Sequence, residues 1–253
     1  MAKIKLSEIS TRAPKDLDKA STKEKIVELL AEVRDLQNLL YASSNHALLV
    51  VIQGMDASGK DGAIRNVFST INPQGVSVTS FKVPTPDELN HDFLWRIHLA
   101  TPGKGMIKVF NRSHYEDILV TRVHKWCDDE TATKRMKAIN DFESLLEQHN
   151  NTRILKFYLH ISKEEQDLRL QERIKEPSKQ WKYNENDFKE AVLWDDYMKM
   201  YEDAFENCNK VPWIITPADQ NWYKEFVMLT TIRDTLQSFK MQYPGIKQKT
   251  VSG

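Results

Sequence analysis

The spacing of apolar residues predicts a helix near the start of the chain. Between residues 21 and 40 they recur every three or four positions, which is typical of one face of an amphipathic helix. The residues of this stripe are Ile26, Leu29, Leu30, Val33, Leu36 and Leu40. Residues 21–24, Ser-Thr-Lys-Glu, have the form of a capping box, so we expect the helix to begin there and to pack on the core or on a second subunit. Residues 1–20 are polar and mixed, and predict a loose N-terminal arm.

The apolar pattern then changes to short continuous runs. Residues 47–52 (Ala-Leu-Leu-Val-Val-Ile) have the length and composition of a strand that is buried on both faces. Further apolar or β-branched runs occupy residues 76–83, 106–110, 154–159 and 213–216. Helical patterns separate the runs, at residues 62–71, 87–99, 132–148, 163–174, 187–207 and 221–239. Strands that alternate with helices form right-handed βαβ units, so the sequence predicts an α/β fold with a parallel sheet between helices.

Composition restricts the class of protein. The chain has 253 residues, with 36 Lys and Arg against 36 Asp and Glu, and 40% of its residues are hydrophobic. This predicts one folded domain over residues 21–245 and a C-terminal tail at 246–253. Zero net charge argues against a general nucleic-acid binder. Because no apolar run nears the roughly 18 residues of a membrane span and the N-terminus lacks a signal-peptide core, we expect a cytoplasmic protein without membrane contact, with Cys127 and Cys208 as reduced thiols.

A glycine-rich segment follows the first predicted strand. Residues 54–62 read Gly-Met-Asp-Ala-Ser-Gly-Lys-Asp-Gly, and the spacing Gly54-x-x-x-x-Gly59-Lys60 is that of a Walker A loop. Glycines let the backbone curl so that its N–H groups surround phosphate oxygens, while the next helix and the lysine add positive charge. Glycine turns also join strands to helices without binding anything, but the strand before and the helix after favour phosphate binding. The predicted phosphate-binding residues here are Gly54, Ala57, Ser58, Gly59, Lys60, Asp61 and Gly62.

Two carboxylates depart from the usual loop. Asp61 occupies the position where Ser or Thr normally ligates magnesium, and Asp56 lies inside the loop. Carboxylates this close to phosphate would repel it unless a divalent cation lay between them, so we predict Mg²⁺ as cofactor and Asp56 as a ligand. Asp61 has two interpretations, a further metal ligand or an ordinary carboxylate in the first turn of a helix.

A second motif follows the strand at 106–110. Residues 111–117 read Asn-Arg-Ser-His-Tyr-Glu-Asp. The guanidinium of Arg112 can hold a phosphoryl group through two hydrogen bonds, and Glu116 and Asp117 can bind a metal or orient the attacking phosphate. The alternatives are a salt bridge from Arg112 to one of these two acids and helix N-terminal carboxylates for the acids themselves, and we expect His114 to be structural. The predicted catalytic residues are Asp56, Lys60, Arg112, Glu116 and Asp117, with Asp56 and Asp117 as metal ligands.

A basic segment follows the fourth predicted strand. Its cationic residues are Arg169, Arg173, Lys175, Lys179 and Lys182. We interpret residues 169–190 as a lid that closes over phosphates, with Arg173, Lys175, Lys179 and Lys182 as phosphate-binding residues. The alternative is a solvated helix face, because Glu172 and Glu176 partly neutralise the segment.

In this order, the motifs resemble those of polyphosphate kinase family 2. The resemblance is carried by residues 54–62, 91–96 (His-Asp-Phe-Leu-Trp-Arg), 110–117, 177–182 (Pro-Ser-Lys-Gln-Trp-Lys) and 212–213, and runs from about residue 25 to 240. It implies a P-loop kinase fold like thymidylate kinase, Mg²⁺ dependence, and reversible transfer of a terminal phosphoryl group between inorganic polyphosphate and a nucleotide. It also implies a homo-oligomer, a dimer or tetramer, and adenine nucleotides as partners, with guanine nucleotides left open.

The resemblance also implies roles for single residues. Residues corresponding to Asp56, Lys60, Arg112 and Asp117 form the functional core of the family, and basic lid residues hold the polyphosphate. Asn111 departs from members that carry Asp at this position, so no metal-binding role is transferred to it. The form Ser-His-Tyr-Glu-Asp at 113–117 resembles members that phosphorylate AMP as well as ADP.

Two other functions compete with this one. The first is a nucleoside monophosphate or sugar kinase that uses ATP as donor, and the missing Ser or Thr after Lys60 counts against it. The second is a non-catalytic module that binds polyphosphate. The presence of Lys60, Arg112 and Asp117 together makes this module the weaker alternative.

Overall fold

A computed structural model describes residues 4–245 of the chain, so the predicted C-terminal tail lies outside the described residues. Within them, five parallel strands form one sheet in the order β2-β3-β1-β4-β5. The strands are β1 (Ala47–Gln53), β2 (Val76–Ser80), β3 (Ile107–Asn111), β4 (Thr152–His160) and β5 (Trp213–Pro217). The predicted α/β fold with a parallel sheet is confirmed.

Helices cover both faces of the sheet. They are α1 (Lys19–Ser43), α2 (Lys60–Val67), α3 (Pro86–Leu89), α4 (Trp95–Leu99), α5 (Val120–Val123), α6 (Asp129–Asn150), α7 (Lys163–Lys175), α8 (Glu185–Val192), α9 (Trp194–Asn207) and α10 (Asn221–Ser238). Short 3-10 turns lie at Leu6–Glu8, Pro73–Gly75, His114–Asp117 and Gln180–Lys182. None of the helices described between residues 4 and 245 is long and apolar enough to cross a bilayer.

The core has two halves that meet at the central strand. Every residue of β1 is buried. Leu49 and Val51 contact the half that contains α6 and α9, whereas Leu48, Val50 and Ile52 contact the half that contains α1, α2 and α10. Because alternate residues of a strand face opposite sides, burial on both sides requires the continuous apolar run seen in the sequence.

The start of the chain differs from the prediction. α1 begins at Lys19, and its N-cap is Asp18, whose carboxylate accepts a hydrogen bond from the Ser21 N–H at 2.8 Å. The predicted capping box at residues 21–24 is therefore wrong, because Asp18 supplies the cap one turn earlier. The segment from residue 4 is not loose either. Leu6 is 2% exposed, its N–H donates to Glu202, and Thr11 bonds to Asp219.

Two predicted helices are each divided in the structure. The pattern at 87–99 contains α3, which a Thr85–Glu88 capping box starts, and α4, which follows a turn in which Asp92 accepts from the Leu94 N–H. The pattern at 187–207 is interrupted at Leu193, between α8 and α9. In both cases apolar periodicity continues through a break that local turn residues impose.

Candidate active site

The phosphate loop, residues 54–59, connects the tip of β1 to α2. β1 lies between β3 and β4, and the register pairs Ile52 with Asn111 and Gln53 with Tyr158. The loop and the second motif therefore leave the sheet side by side at its carboxyl edge, where ligands of parallel sheets bind.

The glycines at the two ends of the loop are required by its backbone. Gly54 has φ +152°, and a Cβ there would lie 2.8 Å from Ser58 Oγ and 2.9 Å from the Leu159 carbonyl oxygen. Gly59 has φ +89°, and a Cβ there would lie 2.5 Å from Lys224 Nζ. At Gly54 the backbone conformation and the nearby Leu159 carbonyl both exclude a side chain, and at Gly59 the positive φ disfavours one.

The Lys60 side chain folds back onto the loop. Its Nζ donates to the carbonyl oxygens of Gly54 at 2.8 Å and Met55 at 3.1 Å, and the residue is 9% exposed. Burial lowers the pKa of Lys60 to about 8; the charge of Arg112 adds to this effect, and the Asp56 carboxylate opposes it. A phosphate group at the loop would supply the counter-charge that this buried ammonium lacks.

Arg112 lies between two carboxylates at the tip of β3. Its Nη2 donates to Asp56 Oδ1 at 2.7 Å, and its Nη1 lies 3.6 Å from Glu116 Oε2. Burial lowers the pKa of Arg112, but Glu116 and Asp56 raise it more, so the net shift is upward. Its side chain is still 41% exposed, so the guanidinium can also meet a ligand. The contact with Glu116 is the salt bridge considered as an alternative, and the shorter one, with Asp56, joins Arg112 to the phosphate loop.

Asp61 fits both interpretations given to it. It lies in the first turn of α2, and it also lines the cleft beside the loop. Its Oδ1 accepts a hydrogen bond from Asn111 Nδ2 at 2.8 Å. This bond joins the phosphate loop to the second motif.

The predicted lid forms one wall of the site. α7 ends at Lys175, a short irregular segment follows, and α8 returns from Glu185. Arg173 on α7 pairs with Asp187 on α8, which ties the two ends of the segment together. Lys179 pairs with Glu172, and Trp181 is 77% exposed, with its Nε1 donating to the Ser178 carbonyl oxygen at 3.0 Å.

These elements enclose a cleft of about 760 Å³. Its basic lining residues are Lys60, Arg65, Lys82, Arg112, Arg169, Arg173, Lys179 and Lys182. Its acidic lining residues are Asp56, Asp61, Glu172, Asp187 and Glu225. Eight basic against five acidic side chains make the cleft positive in a chain whose net charge is zero. Such a concentration of charge suits a polyanionic ligand.

Comparison with known proteins agrees with this geometry. The family model for polyphosphate kinase 2 (PPK2) matches residues 16–244. The chain belongs to the PPK2 family. It is 46% identical over 228 residues to the AMP/ADP-polyphosphate phosphotransferase of Meiothermus ruber, a match that covers 89% of this chain and 85% of that protein. It is 44% identical over 241 residues to the ADP-polyphosphate phosphotransferase of Rhodopseudomonas palustris, covering 88% and 83%.

Solved structures give the same assignment. The crystal structure of polyphosphate kinase 2 from Arthrobacter aurescens TC1 superimposes with a TM-score of 0.95 at 38% sequence identity. The match covers 100% of this chain and 92% of that one. The predicted PPK2 membership and P-loop kinase fold are therefore confirmed.

Most of the predicted site residues of this PPK2 chain line the cleft. Besides Asp56 and Arg112, they are Ala57, Gly59, Lys60, Asp61, Gly62, Arg173, Lys179 and Lys182. Gly54 and Glu116 line a small adjoining cavity of about 20 Å³ behind the loop. The Ser58 side chain is fully buried, and its Oγ has no hydrogen-bond partner among residues 4–245. It therefore faces away from the cleft, unlike the side chains that line it.

Two predicted site residues of the PPK2 chain lie elsewhere. Asp117 is absent from the cleft lining; its carboxylate lies 3.9 Å from Arg96, and its carbonyl oxygen accepts from Arg135. Burial raises the pKa of Asp117. The 3-10 turn directs Glu116 toward Arg112 and Asp117 toward Arg96, so a metal site shared with Asp56 has no support in this geometry. Lys175 is exposed and also outside the cleft, because it lies two residues after Arg173 and projects from a different side of α7.

His114 has the structural role that we expected. It is fully buried, and its Nε2 lies 3.4 Å from Glu143 Oε1. Glu143 also accepts from Tyr115 and from Lys156, and all four side chains are buried. This buried network anchors the 3-10 turn to β4 and α6. The turn contains Glu116 and directly follows the segment that carries Arg112.

Three side chains that the sequence did not predict for this role contact the loop from other elements. Gln166 on α7 donates to the Asp56 carbonyl oxygen, and Lys224 on α10 donates to that of Gly59. Arg169 was assigned to the lid, yet its Nη1 donates to the Ala57 carbonyl oxygen. None of the three belongs to a motif with a fixed spacing from the loop, so no local signal identifies them.

The residues present fit a magnesium ion that the substrate helps to hold. Within the described part of the chain, no three acidic, His or Cys side chains come together as a complete metal site. Mg²⁺ in phosphate-transferring sites is commonly bound by one or two carboxylates, together with substrate phosphates and water. Asp56 and Asp61 both line the cleft next to Lys60 and can provide those carboxylates.

Proposed function

We propose that this protein transfers the terminal phosphoryl group of inorganic polyphosphate to AMP and ADP, reversibly, to give ADP and ATP. The observation that carries the proposal is a Walker-type loop that opens into a cleft lined by eight basic side chains. A nucleotide alone presents at most three phosphates, whereas the basic side chains of this cleft extend from the loop to the lid. The name of the Meiothermus ruber relative, which covers most of both chains, supports the same substrates.

The residues of the cleft act by position and charge. Phosphoryl transfer needs little proton chemistry, so catalysis depends on holding donor and acceptor phosphates together against their mutual repulsion. Lys60 exchanges its contacts with the loop carbonyls for phosphate oxygens, and Arg112 contacts the phosphoryl group through its planar guanidinium. Arg173, Lys179 and Lys182 hold the polyphosphate chain along the lid and help to exclude water.

Magnesium belongs to the proposal as the cofactor. Asp56 and Asp61 would hold it, and the ion would neutralise charge on the transferring phosphates. A role for Asp117 in this site stays a prediction from the sequence. The same holds for assembly as a dimer or tetramer, for a cytoplasmic location and for the choice between adenine and guanine nucleotides.

The decisive experiment supplies Mg²⁺ and polyphosphate with either AMP or ADP, and follows nucleotides by chromatography and ATP by luminescence. We expect ADP first and ATP later from AMP, and ATP directly from ADP. A parallel reaction with ATP and AMP but without polyphosphate should give little ADP. Efficient ADP formation there would identify a nucleotide-donor kinase instead. No transfer by a protein that still binds polyphosphate would identify a binding module.

A further inference from the structure

Three side chains from two helices, α7 and α10, donate hydrogen bonds to carbonyl groups of the phosphate loop. Gln166 Nε2 donates to the Asp56 oxygen at 3.0 Å, Arg169 Nη1 to the Ala57 oxygen at 3.0 Å, and Lys224 Nζ to the Gly59 oxygen at 3.3 Å. Together with the two bonds from Lys60, these contacts occupy the carbonyls of five of the six loop residues. We call Gln166, Arg169 and Lys224 the carbonyl brace.

The brace helps to set the direction of the loop N–H groups. In a planar trans peptide the carbonyl and the following N–H point in opposite directions. Holding the Asp56 carbonyl toward Gln166 therefore turns the Ala57 N–H away from α7. The Gly59 carbonyl oxygen also accepts the first hydrogen bond of α2, from the Ala63 N–H at 2.9 Å, so α2 sets the direction of the Gly59–Lys60 peptide and Lys224 adds a second donor to it. Both peptides belong to the part of the loop that lines the cleft, where a phosphate would accept from such donors.

Lys224 is the member of the brace with the most unusual setting. It is 1% exposed, its Nζ donates to Asn221 Oδ1 at 2.9 Å, and it lies directly against Gly59. No carboxylate forms a salt bridge with it among the described residues. Burial lowers the pKa of Lys224 to about 8; the positive charges of Arg169 and Lys60 add to this effect, and Glu225 opposes it.

A charged lysine that is buried near other cations lowers the stability of the folded chain. A structural lysine at this position would be better replaced by an apolar residue, since only Asn221 and one carbonyl oxygen gain from it. The same charge becomes favourable when an anion occupies the loop in front of it. The burial of this charge and its location behind the loop therefore favour a role in binding phosphate.

We infer that Lys224 is a positioning residue of phosphoryl transfer, which supports the Gly59 carbonyl at the start of α2 and adds a second positive charge behind the loop. This inference rests on the proposed function of the same site. Gln166 and Arg169 assist it by fixing the neighbouring peptides.

The test compares Lys224→Met and Lys224→Gln with wild type in the polyphosphate–AMP and polyphosphate–ADP reactions. Arg233→Met, which removes a cation from the same helix far from the loop, is the matched control. We expect kcat to fall roughly tenfold to hundredfold in the Met variant, to fall less in the Gln variant, which keeps a donor, and to be unchanged in the control. The melting temperature of the Met variant should equal or exceed that of wild type.

A Met variant that is folded and keeps kcat within about threefold of wild type overturns the inference, and so does a kcat loss that only follows a lower melting temperature. If the Met variant does not fold, the Gln variant decides by the same criteria. Calorimetric binding of tripolyphosphate without nucleotide separates this inference from the proposed function. A wild type that binds but does not transfer overturns the proposed function alone. Lys224 is then judged on tripolyphosphate binding, where tenfold weaker binding by Lys224→Met supports the inference and equal binding overturns it.

Discussion

Replacing Lys60 with methionine keeps a long buried side chain but removes its charge, which should change how stability depends on pH. The folded chain lowers the pKa of Lys60 from 10.5 to about 8. In the unfolded chain the lysine returns to its ordinary value, so between these two pH values the unfolded state binds more protons. Stability contributed by this group therefore rises with pH across that window.

The size of the effect follows from the shift. At pH 7 the charged, buried Lys60 costs the folded state about 3 kcal/mol, and at pH 9.5 this falls to about 1 kcal/mol. The free energy of unfolding of wild type should therefore rise by about 2 kcal/mol relative to that of Lys60→Met between these pH values. The carbonyl groups of Gly54 and Met55, which lose this donor in the variant, do not titrate, and the neutral amine of Lys60 still donates, so this loss is about equal at both pH values.

The assay is urea unfolding at pH 7 and pH 9.5, followed by circular dichroism at one protein concentration. Lys199→Met serves as control, because that lysine is 68% exposed and is hydrated in both the folded and the unfolded chain. The difference in the free energy of unfolding between Lys199→Met and wild type should be the same at both pH values. If the difference between Lys60→Met and wild type changes by less than about 0.5 kcal/mol across the same range, Lys60 is not the desolvated cation described above.

Three further changes test the cleft. Asp56→Asn should lower activity and raise the Mg²⁺ concentration needed for half-maximal rate, because it removes a negative charge while keeping shape; an unchanged magnesium titration contradicts the proposed ligand role. Neutralising Arg173 and Lys179 together should raise the KM for polyphosphate more than that for nucleotide and flatten its dependence on salt, while Lys175→Met changes neither; equal effects on both substrates would argue against a polyphosphate-holding lid. Gly62→Ala should stabilise α2 by about 0.5–1 kcal/mol, because no atom lies within 4 Å of the added Cβ, yet slow transfer by placing a methyl group in the cleft; thermal unfolding and kcat measure the two effects, and unchanged kcat shows that phosphate does not approach α2 there.

The parts of the site that are local in sequence could be predicted. Gly54, Gly59 and Lys60 lie within seven residues, and the strand and helix on either side have distinct periods. The contact of Asp56 with Arg112 was not predicted, and it arises because β1 and β3 are adjacent parallel strands with their carboxyl ends at one edge of the sheet. Register within β1 and β3 then places Ile52 opposite Asn111.

The parts that depend on rotation or on distant contacts could not be predicted. Glu116 and Asp117 are chemically similar neighbours, and only the 3-10 turn determines that Glu116 faces Arg112. Arg173 and Lys175 both lie on α7, but two residues of helix rotation place Arg173 in the cleft and Lys175 outside it. Lys224 reaches Gly59 across 165 positions of sequence, as a single residue without a motif. Such contacts follow from how α10 packs under the loop, which the sequence pattern does not specify.

The internal pairing of the cleft cations has a consequence for turnover. Arg112 pairs with Asp56, Arg173 with Asp187 and Lys179 with Glu172. A polyanion that enters must therefore exchange these carboxylates for its own phosphates, and the net gain for each contact is smaller than for an unpaired cation. A long substrate that is shortened at its end must be released or shifted after each transfer. Acidic partners inside a basic cleft moderate the affinity so that this shift is possible, whereas a cleft with unpaired cations would hold the chain in one position.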